Sequence, residues 1–168
     1  HVSTNVEYGP TSPNDHGWSH FAGTMMNPDS EGGDYSSWPK VVNGVESTST
    51  VYATTDTVND ALAWISTATE PWVAYVAFNA PHTPLHEPPS DLFTLDMTNG
   101  GSPFSPGRGL YKAMVEAMDT EIGRLLSDMD PAVRSRTNVI FLGDNGTPGP
   151  WTVPPFPANH AKGNIYEG

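Results

Sequence analysis

The sequence has no cysteine, only 7 Lys and Arg among its 168 residues, and no apolar run of membrane-spanning length. The first absence excludes disulfides, zinc–thiolate centres and a cysteine nucleophile within these residues. The second, against 19 Asp and Glu, leaves a formal net charge of -12. A surface of that sign repels phosphate backbones, which argues against a nucleic-acid partner held on a basic face. The third argues against a membrane span, and no charged-then-apolar signal segment opens the chain. What is abundant is proline and glycine, 17 and 16 residues, beside a modest 36% of hydrophobic residues. That balance suits a loop-rich enzyme domain better than a helical bundle. Both ends, His1 and Tyr166-Glu167-Gly168, read as cuts through a longer protein.

Along the chain, residues 1–54 form a polar, loop-rich connection whose scattered aromatics, Tyr8, Trp18, Phe21, Tyr35 and Trp38, are expected to pin it to the body. Residues 55–168 carry the α/β pattern. Thr55, Asp56 and Thr57 are candidate caps for a helix with Val58, Leu62 and Ile65 at helical spacing. Glu70-Pro71 ends that segment. Residues 72–78 are a nearly continuous apolar run of strand length, the pattern of a strand buried on both faces, and prolines 81 and 84 stop it. A proline- and glycine-rich loop over residues 85–109 leads to a second helix. There Tyr111, Val115, Met118, Ile122 and Leu125 form one apolar stripe. Pro131 closes it, and residues 137–142 read as a second buried strand running into Gly143-Asp144-Asn145-Gly146. Helix, strand, loop, helix and strand in that order predict an α/β fold with a largely parallel central sheet flanked by helices.

In open α/β sheets ligands sit beyond the carboxyl ends of the strands. If the two strands are parallel, His82 emerges on the same sheet edge as Asp144 and Asn145. Asp144 and Asn145 offer hard oxygen donors that suit Ca²⁺ or Mg²⁺ rather than zinc. Asn145-Gly146 is equally a hairpin signal, but the prolines at 148, 150, 154 and 155 deny it a following strand. His82, between Pro81 and Pro84, has the chemistry to protonate a leaving group or bind an anion; a lone loop histidine is also ordinary surface. Lys162, followed by Gly163, can bring its ammonium to an oxyanion, or stand as a solvated surface lysine. His16, His20, His86 and His160 show no metal-binding spacing.

Four stretches taken together resemble the sulfatase family of the alkaline-phosphatase superfamily. They are Ala80-Pro81-His82-Thr83-Pro84, the helix from Tyr111 through Asp119 to Gly123, the turn from Val139 to Asp144-Asn145-Gly146, and Lys162-Gly163 with Tyr166-Glu167-Gly168. Each alone is common; the ordered set is specific, and it covers most of the chain from about Thr55 onward. The resemblance implies an alkaline-phosphatase-like sandwich and hydrolysis of sulfate esters. It implies that Asp144 and Asn145 are ligands of a divalent cation, calcium with magnesium as the alternative. It makes His82 the residue that contacts the sulfate and protonates the departing oxygen, and Lys162 a sulfate-binding cation. His1 stands where a family Gly-Lys-Trp-His segment, upstream of a stretch like His16-Gly17-Trp18-Ser19-His20-Phe21, places a histidine that assists sulfate release.

The sequence departs from the family in one respect. Sulfatases use a formylglycine made from Cys or Ser in a Cys/Ser-x-Pro-x-Arg motif, and neither that motif nor the family's Asp-Asp metal pair occurs here. The expectation is therefore an internal fragment, lacking its nucleophile region and C-terminal part and inactive alone. The alternatives are a phosphodiesterase or phosphonate monoester hydrolase of the same superfamily, and a non-catalytic relative serving as a binding module. The implied substrate is a small-molecule or carbohydrate sulfate ester, and the family favours a periplasmic or secreted location. Oligomeric state leaves no trace in the sequence.

Overall fold

An Asn-Gly pair organises the first half of the chain. Strands β2 (Trp38–Val42) and β3 (Val45–Ser49) run antiparallel with Val42 opposite Val45, leaving Asn43 and Gly44 as a two-residue loop. Both have positive φ, 47° and 83°, the geometry whose twist matches the flanking strands. At Gly44 space adds to conformation: a Cβ there would lie 2.8 Å from Thr11 Cγ2. The short strand β1 (Ala22–Gly23) pairs with the other edge of β2, Ala22 opposite Val42. The Asn43 side chain reinforces that edge, accepting from the Phe21 amide at 2.9 Å.

The computed structural model describes residues 9–98, 106–144 and 146. The chain divides into two compact units, His1–Arg134 and Ser135–Gly168. Besides the sheet, the first unit holds α1 (Ser12–Asp15), α2 (Ala53–Ile65), α3 (Pro106–Asp128), α4 (Pro131–Arg134) and a 3-10 turn at Ser30–Gly32. Residues 1–54, read from sequence as loop, thus contain the three-stranded sheet. The aromatic pins are real at two positions: Tyr35 and Trp38 are each 2% exposed.

Helix α2 begins at Ala53, two residues before the expected caps, and Tyr52 occupies the cap position without a side-chain bond. Thr55 and Asp56 are used otherwise. Thr55 Oγ1 donates to Glu121 Oε1 at 2.8 Å. Asp56 receives Lys40 Nζ at 3.0 Å and Ser49 Oγ at 2.5 Å, and Asp60 receives Lys40 at 2.7 Å. Sheet and helix are therefore joined by a near-buried cation between two carboxylates. Burial lowers the Lys40 pKa, but its bonds to Asp60 and Asp56 outweigh that and raise it. On α3 the most deeply buried positions are Ala113, Met114, Ala117 and Glu121. The expected stripe of Tyr111, Val115, Met118, Ile122 and Leu125 is half-buried beside them. Helices α2 and α3 pack against each other, and small alanines on α3 allow close approach of its neighbours. Glu121, 2% exposed, is neutralised by Arg124, whose Nε and Nη2 both lie 2.7 Å from Oε2. Arg124 Nη2 also reaches Asn59 Oδ1 at 2.9 Å on α2.

The two apolar segments expected as buried strands are a different matter. Residues 72–78 belong to no strand, with Val73 79% exposed, and Tyr75 is exposed as well. In the second unit residues 137–142 also form no strand, and Val139, Ile140, Phe141 and Leu142 are all exposed. The expectation of burial is corrected at both. A strand covered on both faces needs neighbours along its edges and layers above and below, and apolar composition does not supply them. Among the described residues the sheet is antiparallel, and no parallel pair occurs. No helix among them is long and apolar enough to cross a membrane.

Candidate active site

The loop over residues 79–86 is anchored from below. Ala80 is buried in the cluster of Tyr35, Trp38, Tyr52, Ala53 and Met114, against which Leu85 packs. Between these anchors the chain turns sharply, the His82 amide bonding the Asn79 carbonyl at 2.9 Å, and both Ala80-Pro81 and Thr83-Pro84 are cis. His82 is thereby raised to the surface, its side chain exposed over a buried base.

The hydrogen bonds of its ring are specific. His82 Nδ1 lies 2.9 Å from the Thr83 carbonyl oxygen. A carbonyl only accepts, so Nδ1 carries the proton and the neutral ring keeps its lone pair on Nε2. Among the described residues nothing bonds Nε2, and the residue is exposed. The His82 carbonyl accepts from Tyr35 Oη at 3.0 Å.

His86, four residues on, sits half-buried against the same tyrosines. Its Nδ1 is 3.0 Å from the Pro84 carbonyl and its Nε2 3.0 Å from Tyr52 Oη. The ring centroids of His86 and Tyr35 are 4.3 Å apart. Burial lowers the His86 pKa, the Pro84 bond and Asp34 opposing it. Burial also raises both tyrosines, Tyr35 further by the charge of Tyr52 and Asp29. All three groups are therefore neutral near pH 7, and both phenols are available as donors.

Within the first unit, the partners of His82 and its loop are Tyr35, Thr83 and His86. Asp144 is exposed and belongs to the second unit. Asn145, Lys162 and His1 lie outside the described residues. The donor chemistry of Asp144 and Asn145 suits a hard cation, but calcium takes six to eight oxygens. Among the described residues no three His, Cys, Asp or Glu are grouped to hold a metal. By themselves Asp144 and Asn145 supply too few donors to complete such a site. Two clefts beside α2, of about 520 and 590 Å³, are lined by Trp64 and Trp72 and by Leu62, Ile65 and Met129; neither includes His82. Sequence reasoning missed Tyr35, Tyr52 and His86 as site residues. The one legible signal was the recurrence of histidine at 82 and 86 within a proline-rich loop.

Among comparisons with known proteins, no curated protein and no solved structure matches the chain. The family model described as Sulfatase matches residues 4–161. That span takes in the His82 loop, both helices that carry the core, and the turn at Asp144. Membership implies an alkaline-phosphatase-like α/β fold, of which the described residues show the helices and a small antiparallel sheet. With nearly its whole length matched, the chain belongs to the sulfatase family.

Proposed function

We propose that these residues form part of one sulfatase catalytic domain and supply the leaving-group acid of a sulfate-ester hydrolase. The observation that carries the reading is His82: exposed, with Nδ1 committed to the Thr83 carbonyl and Nε2 unbonded among the described residues. As imidazolium it holds its second proton at Nε2. When the sulfur–oxygen bond of an ester breaks, the departing oxygen takes that proton, leaving a neutral ring already in the tautomer that Thr83 favours. Protonating an alkoxide or phenoxide as it leaves is worth roughly two to four orders of magnitude in rate.

Lys162 is proposed as the ammonium that holds the non-bridging sulfate oxygens, and Asp144 with Asn145 as donors to a hard cation, calcium or magnesium. Positive charge fixed near those oxygens is the usual source of stabilisation in such transfers. His1 is proposed to assist sulfate release. Formylglycine is the nucleophile that the family implies; no Cys/Ser-x-Pro-x-Arg motif lies in this sequence to provide it. The largely parallel sheet is proposed to form where residues 72–78 and 137–142 find strand partners.

The test has two arms. Incubated with 4-nitrophenyl sulfate, the 168-residue chain is expected to release no nitrophenol, since it lacks the nucleophile motif. Titrated with methyl sulfate and followed by imidazole ¹⁵N NMR, it is expected to show a saturable shift at His82 Nε2. The expected dissociation constant is in the millimolar range, about -4 kcal/mol. The shift should vanish in His82→Gln. Methyl phosphonate binding more tightly than methyl sulfate would favour the phosphonate hydrolase, and no response to either would leave a binding module without a catalytic role.

A further inference from the structure

Three consecutive carbonyls in the His82 loop are each taken by a different ring. The His82 carbonyl accepts from Tyr35 Oη at 3.0 Å, the Thr83 carbonyl from His82 Nδ1 at 2.9 Å, and the Pro84 carbonyl from His86 Nδ1 at 3.0 Å. The outer two bonds come from residues rooted in the core. Tyr35 is 2% exposed, and its hydroxyl reaches across 47 residues of sequence to its acceptor. His86 is held at its other nitrogen by Tyr52 Oη at 3.0 Å, and Tyr52 is itself buried. The middle bond is the one that decides the chemistry, because it fixes which nitrogen of His82 keeps its lone pair. An exposed imidazole held only by its neighbour, through the Thr83 carbonyl and a longer 3.5 Å contact to Thr83 Oγ1, would exchange freely with water. Holding the peptide units on both sides of Thr83 sets the direction of its carbonyl, and with it the ring.

We propose that Tyr35 and the Tyr52–His86 pair are positioning residues that lock His82 in its Nδ1–H form, so that Nε2 is the atom presented to substrate. The function of that lock rests on His82 acting as the leaving-group acid; the lock itself is a property of the folded chain. Tyr35 and His86 act from the two sides of Thr83, so each variant should loosen the ring independently. Neither touches Nε2, and neither is a catalytic residue.

The experiment is ¹⁵N NMR of the histidine-labelled chain at alkaline pH, where the two nitrogens of a neutral ring report the tautomer directly. The His82 signals are assigned by their loss in His82→Gln. Wild type is expected to be predominantly Nδ1–H. In Tyr35→Phe and in His86→Gln the ratio of Nδ1–H to Nε2–H is expected to fall about fivefold, the ratio equivalent of one net hydrogen bond. A change in stability alone would not move that ratio, which separates positioning from simple packing. Wild-type His82 predominantly Nε2–H overturns the proposal, whatever the variants do. So does an unchanged ratio in both folded variants. The methyl sulfate titration is read on the same samples: a locked tautomer with no response at Nε2 upholds the lock while removing the acid role.

Discussion

Two sets of apolar residues in this molecule have opposite fates. Tyr35, Trp38, Tyr52 and Met114 are buried together, although three of them come from the polar, loop-like first third of the chain. Residues 72–78 and 137–142 are far more hydrophobic as segments, yet Val73, Ile140 and Leu142 are each about four-fifths exposed. The difference lies in the backbone. In the first set the chain's polar groups are already paired, by the β2–β3 ladder, by helix bonds, and by side chains such as Trp38 Nε1 on the Val51 carbonyl at 2.9 Å. In the second set they belong to no ladder among the described residues. Burying a peptide group without a partner costs more than an apolar side chain gains. Hydrophobicity therefore puts a segment inside only where its main chain has somewhere to bond.

The largest effect should separate the two sets outright. Trp38→Ala is expected to destabilise the chain by about 3–5 kcal/mol, as for buried aromatic truncations. Ile140→Ala should stay within about 0.5 kcal/mol. Urea denaturation of both variants checks this, and comparable losses would mean that residues 137–142 are packed in solution.

Glycines sharpen the same contrast. Gly44→Ala meets both a positive φ and Thr11, and is expected to cost about 1–2 kcal/mol. Gly143 has open space where an added methyl group would stand, and no positive φ, so Gly143→Ala should be near neutral in the same assay.

The smallest effect is a pH dependence placed in the ordered set. Burial holds the folded-state pKa of His86 below its ordinary 6.5. The unfolded chain therefore takes up the proton first as pH falls. The stability this group contributes is complete above pH 6.5 and is lost as pH drops through 6.5 to the folded value. His86→Gln should flatten the dependence of the urea midpoint on pH between about 7.5 and 5.5, relative to wild type. Identical slopes would place His86 in water rather than against Tyr35 and Tyr52.

Much of the helical part was legible in residues. The period of Val58, Leu62 and Ile65 marked α2, and that of Tyr111 to Leu125 marked α3, because one side of each must face the core. The deepest line on α3 was not legible, since two of its four residues are small alanines and one is a paired glutamate, leaving Met114 alone to mark it. The β2–β3 hairpin was missed even though Asn43-Gly44 is the same dipeptide weighed at residues 145–146. Its strands contain Pro39, Lys40 and Glu46, which hide the alternation. At the candidate site, His82 stood out through its prolines. Its partners Tyr35 and Tyr52 did not, because they lie far away in sequence and look like any loop aromatics.

By itself the sequence determined the family, the acidic charge and the absence of a thiol, and it singled out His82 as a candidate. Those follow from residue types and their order. Only the tertiary structure decided which histidine nitrogen is free, which apolar segments are covered, and where Lys40 and Arg124 find their acids. Each of these depends on packing and on which partners the fold brings together, and that geometry is not contained in local patterning.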